Sequence, residues 1–69
     1  MTDREQGYYQ QGLDYGEKNI SEYTFNLDFD RINSFCPEGA LAFRKGYAEG
    51  LGILESEVKS FDKGNRNEE

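Results

Sequence analysis

Apolar residues recur at Ala40, Phe43, Tyr47, Leu51, Leu54, Val58 and Phe61. Steps of three and four put them on one face of a 3.6-residue helix, which predicts a helix over Pro37 to Phe61. A face of that kind must be covered, so the chain is expected to be mainly α, with at least one further helix packed on this one. Gly52 followed by Ile53 offers a second reading. A glycine in the left-handed position with an apolar residue after it is a Schellman ending, and would leave a separate short C-terminal helix folded back on the rest.

The partner helix is predicted at the start of the chain. Thr2-Asp3-Arg4-Glu5 has the form of a capping box, in which the Thr2 hydroxyl and the Glu5 carboxylate each satisfy a free backbone N–H. A helix is therefore expected from the third residue, with Tyr9, Leu13, Gly16 and Ile20 along one face and Tyr8, Gly12 and Tyr15 beside it. Glycine in a helix interior costs about 1 kcal/mol relative to alanine. Gly7, Gly12 and Gly16 thus call for compensation by close approach of another helix, and Gly46 and Gly50 repeat the device in the second helix. Aligning Tyr9 with Tyr47 gives a shared Tyr-x-x-Gly-Leu-x-x-x-Glu pattern offset by 38 positions. The expected architecture is a small antiparallel two-helix hairpin in which each tyrosine and leucine meets the opposing glycine notch.

Between the helices, Tyr23-Thr24-Phe25-Asn26-Leu27-Asp28-Phe29-Asp30 alternates apolar and polar residues with the period of a half-buried strand. Phe25, Phe29, Ile32 and Cys36 also fit a helical stripe, but the alternation favours an extended connector, a single strand lying over the hairpin or pairing with a second copy. Pro37 stops this segment, since proline disfavours helical geometry at Cys36 and suits the first turn of the helix that follows. Residues 1–61 are expected to form one small domain. The tail Asp62-Lys63-Gly64-Asn65-Arg66-Asn67-Glu68-Glu69 has no apolar residue and is expected to be disordered.

A chain of 69 residues buries only about 60% of its unfolded surface, so its core is thin. Its single cysteine, Cys36, and its lack of histidine provide neither a disulfide nor an ordinary metal staple. Pairing into a dimer or binding a larger protein is the remaining route to a firm core. Cys36 is expected to act as a small buried apolar residue, and an unpaired thiol suits the cytoplasm. No leader peptide and no apolar run of membrane-spanning length is seen, so no membrane partner is expected. No cofactor is expected either.

Eight basic against fourteen acidic residues give a net charge of −6, which repels phosphate backbones, so no direct nucleic-acid partner is expected. General acid–base catalysis needs a carboxylate in a dry pocket, and without histidine no serine or cysteine triad is assembled in the ordinary way; the chain is read as not an enzyme. Asn26-x-Asp28-x-Asp30 has the opening of a calcium loop, but Arg31 stands where the turn glycine belongs and Pro37 where the bidentate glutamate belongs.

The aromatic content points elsewhere. Five tyrosines and five phenylalanines are many for so polar a chain, and tyrosine supplies stiff contact area with a wet end. Tyr8, Tyr15 and Tyr23 lie off the best core stripe and are candidate partner-binding residues. With them stand the acids Asp14, Glu17, Asp28 and Asp30, from a stretch holding five acids and one base. The expectation is a non-catalytic interaction module, an adaptor or inhibitor of the kind phages and mobile elements encode, covering a surface of a larger host protein. A variant of it has Asp14 to Asp30 imitating a nucleic-acid backbone.

The order of features also resembles the ribosome modulation factor family of small two-helix bacterial proteins. Gly7-Tyr8 with Gly12, Cys36-Pro37 at the joint, and Arg44 with Gly46-Tyr47 carry the likeness, over Arg4 to Leu51. The resemblance implies a helical hairpin and, as the alternative function, a ribosome-associated regulatory factor that sits on ribosomal RNA.

Overall fold

A computed structural model describes residues 2–58. Among them lie three α-helices, α1 (Asp3–Glu17), α2 (Glu22–Phe35) and α3 (Pro37–Leu51), followed by a single 3₁₀ turn over Glu55–Glu57. The residues assigned to the tail, and Phe61, lie outside the described part. The mainly α expectation is met, but the connector is a helix, and the long C-terminal helix ends at Leu51.

Thr2 begins α1 as its sequence suggests: the Thr2 hydroxyl accepts from the Glu5 N–H at 3.1 Å, and the Glu5 carboxylate accepts from the Thr2 N–H at 3.1 Å. The helix closes in a Schellman turn at Asn19, whose φ of 58° is left-handed. The Asn19 N–H donates to the Gly16 carbonyl at 3.0 Å and the Ile20 N–H to the Tyr15 carbonyl at 3.0 Å. Helix α3 ends in the same way. Gly52 has φ of 80°, its N–H reaches the Glu49 carbonyl at 3.1 Å, and the Ile53 N–H reaches that of Ala48 at 3.0 Å. Leu54 to Val58 then turns back, and Val58 is buried in the core.

Helices α1 and α3 run parallel, not antiparallel. The Tyr8 ring lies against Gly39, Gly12 against Phe43, and Gly16 against Tyr47 and Gly50, so the contacts climb both helices in the same direction. The reversal of the expected sense has a physical cause in α2: a 14-residue helix is long enough to carry the chain back to the starting end before α3 begins. Helix α2 starts at Ser21, whose hydroxyl accepts from the Thr24 N–H at 3.3 Å, and it packs on α3.

The α1–α3 seam is made by backbone. A Cβ at Gly12 would stand 1.9 Å from the Phe43 carbonyl oxygen, and one at Gly46 would stand 2.1 Å from that of Tyr9. Likewise, a Cβ at Gly16 would lie 2.4 Å from the Tyr47 oxygen and one at Gly50 2.5 Å from the Leu13 oxygen. Each glycine thus meets the carbonyl three residues before its counterpart on the other helix. Gly12 corresponds to Gly46 and Gly16 to Gly50, an offset of 34 that replaces the 38 suggested by the tyrosine-centred alignment. Two Gly-x-x-x-Gly segments face each other in register, a spacing that lets helix backbones touch and brings Cα–H groups toward carbonyl oxygens.

The other side of α3 is aromatic. Phe25 stacks on Tyr47 with ring centroids 4.1 Å apart and on Phe43 at 5.0 Å, while Tyr15 meets the Phe43 ring edge-on at 5.2 Å. Phe25, Phe43 and Tyr47 are the largest fully buried side chains, joined by Ile32, Ala40, Ala48 and Val58. Cys36 is buried, as expected, and Pro37 occupies the start of α3.

The strand-like alternation of Tyr23 to Asp30 has an explanation in this arrangement. Tyr23 and Leu27 are four apart, Phe25 and Phe29 are four apart, and a shift of two residues turns a helix by about 200°. Two helical stripes on opposite faces therefore interleave into a period of two. Phe25 and Ile32 face the core with Phe29 half-buried, whereas Tyr23 and Leu27 face outward.

Candidate functional site

The outward face of α2 is the candidate site. Tyr23, Leu27, Arg31 and Phe35 follow one another at intervals of four and form a single ridge along the helix. Tyr23 is 74% exposed, Leu27 56% and Phe35 65%. About 18 Å separates the ends of such a ridge at 1.5 Å per residue. Within it, the Arg31 guanidinium is held by Asp28 at 2.7 Å, and Asp28 in turn accepts from the Tyr15 hydroxyl. Asp30 stands exposed beside Tyr23 and Leu27, and Glu22 stands exposed at the start of the helix on the side of Phe29.

The seven candidate partner-binding residues divide into two groups. Tyr23, Asp14, Glu17 and Asp30 are exposed; Tyr8, Tyr15 and Asp28 are half-buried. Tyr8 covers Gly39 and Tyr15 braces Phe43, so both serve the interior. Asp14 pairs with Lys18 at 3.2 Å on the exposed face of α1. The structure brings Tyr15 and Asp28 together, but as a tie between α1 and α2. Sequence reasoning does not single out Leu27 and Phe35. Their spacing of four from Tyr23 and Arg31 is the available signal, masked by the alternation that suggests a strand.

The tyrosine hydroxyls report these environments. The hydrogen bond to Asp28 raises the Tyr15 pKa above its ordinary value of 10.0, with burial and the Asp28 charge adding to it and Arg31 opposing. Burial, and secondarily the charge of Glu22, raises that of Tyr47, whose hydroxyl donates to the Ile20 carbonyl at 2.6 Å. Tyr9, at the α1–α3 rim, donates to Glu49, which raises its pKa in the same direction.

A second feature is an open depression of about 630 Å³ where the two parallel N-termini meet, lined by Thr2, Asp3, Arg4, Glu5, Cys36 and Glu38. The helix ends there favour negative charge, and Asp3, Glu5 and Glu38 already supply it. Among the described residues no cluster of three or more His, Cys, Asp or Glu is arranged to hold a metal ion. No described helix is long and apolar enough to cross a membrane.

Comparison with protein-family models, with curated proteins and with solved structures finds no match.

Proposed function

We propose that this chain is a non-catalytic protein–protein interaction module, an adaptor or inhibitor that works by covering a surface of a larger protein. The observation that carries this reading is the ridge on α2, which leaves two aromatic side chains and a leucine in water on a helix whose opposite face already supplies Phe25 and Ile32 to the core. Scattered apolar residues on a surface need no explanation, but an aligned series on one helix is the form in which helices are recognised by grooves. Tyr23 and Asp30, two of the residues expected to bind a partner, lie on this side of the molecule. The nucleic-acid-mimic variant is weaker, because the Asp28 charge is already answered by Arg31.

The test is affinity capture with the tagged full-length chain from cells that express it, with and without nuclease, followed by mass identification. This reading expects one or two stoichiometric proteins whose recovery is indifferent to nuclease. Ribosomal proteins that vanish with nuclease would support the ribosome-associated alternative and overturn it.

A further inference from the structure

We infer that the Tyr23–Leu27–Phe35 ridge of α2 docks into an apolar groove rimmed by lysine and arginine on a partner protein. This deepens the interaction-module reading and rests on it. The ridge supplies the anchors of a helix-in-groove complex, an aromatic at each end and a leucine between them, with Arg31 lending its aliphatic stem.

Charge identifies the chemistry of the groove. Glu22, Asp28 and Asp30 stand against Arg31 alone in α2, and the whole chain carries −6. Arg31 is moreover neutralised by Asp28 on its own helix. A groove approaching the ridge therefore meets the exposed carboxylate of Asp30, which the helix turn sets beside Tyr23 and Leu27, and a basic rim answers it and the net charge of the chain. A second copy of this chain fits less well. A two-fold antiparallel pairing of α2 centred on Phe29 sets the edge bearing Asp30 against the same edge of the other copy, and it brings together two chains of like net charge.

The experiment places the photoreactive residue p-benzoylphenylalanine at position 27 of the full-length chain, and separately at positions 14 and 45, which lie exposed on α1 and α3. After illumination in cells, adducts are identified, the crosslinked partner is purified, and its affinity is measured against salt. The expected result is an adduct from position 27 and not from 45, mapped to a partner groove with apolar walls and basic rim residues. Leu27→Asp should then weaken binding by at least about tenfold. Asp30→Asn should weaken it about two- to threefold and flatten its salt dependence.

A position-27 adduct with a second copy of this chain overturns the inference, as does a partner groove without basic residues and a salt-independent affinity. Adducts from position 14 or 45 with none from 27 overturn the ridge and leave the interaction-module reading standing. Adducts from no position overturn both. Circular dichroism on Leu27→Asp separates lost binding from lost folding, and Leu27 is exposed enough for the fold to persist.

Discussion

The two sides of α3 are built on opposite principles. Toward α1, Gly12, Gly16, Gly46 and Gly50 bring backbone against backbone, with no space for a methyl group. Toward α2, Phe25 lies between the rings of Phe43 and Tyr47, side chain on side chain. The first contact is short and rigid, since a carbonyl cannot rotate out of the way. The second is broad and adjustable, since rings can tilt and neighbours can repack. The glycine seam therefore fixes the register of the molecule, and the aromatic layer supplies its largest fully buried side chains.

Substitutions should separate the two sides. Gly12→Ala is expected to have the largest effect, because its Cβ would lie 1.9 Å from a backbone oxygen and only separation of α1 from α3 relieves it. Loss of cooperative thermal unfolding by circular dichroism is the expected outcome, and a melt close to wild type would mean that the helices are not apposed. Phe25→Leu should keep the fold and cost about 1–1.5 kcal/mol in urea unfolding, the loss of ring stacking in a core that can adjust. Gly7→Ala provides the control. It lies in α1 with nothing within 4 Å of an added methyl, so it should stabilise by about 0.5–1 kcal/mol.

The smallest effect should come from alkaline pH. Tyr15 and Tyr47 have pKa values raised above 10.0 in the folded state, so the stability they contribute is fully present below pH 10 and is lost as pH rises through their folded values. The urea midpoint should fall as the pH is raised past about 10, and Tyr15→Phe should reduce that fall. A midpoint that stays level would place both hydroxyls in water.

Much of the glycine side is legible in the sequence. Capping at Thr2, the ending at Gly52 and the need for close approach at Gly12, Gly16, Gly46 and Gly50 each follow from local chemistry, although the same reasoning asks close approach of Gly7, which has nothing within 4 Å of an added methyl. The direction of the pairing is not legible, because a glycine notch accepts a neighbouring helix in either sense and the path of the chain between them decides. That path is hidden at Tyr23 to Asp30, where a helix apolar on two faces carries the alternation of a strand. The same alternation conceals the candidate site, since Leu27 and Phe35 become a ridge with Tyr23 only once α2 is helical. Tyr8 and Tyr15 fall off the best stripe and so look like surface residues, yet a helix packed through glycines has neighbours close enough to cover them.

The most direct test of the parallel glycine seam is a nuclear Overhauser spectrum of the isotope-labelled chain, read at the glycine Hα protons. Parallel apposition predicts cross-peaks from Gly16 Hα to Gly50 Hα and from Gly12 Hα to the Tyr47 amide. Cross-peaks joining Gly12 to Gly50 and Gly16 to Gly46 would instead mean an antiparallel pair and contradict the account.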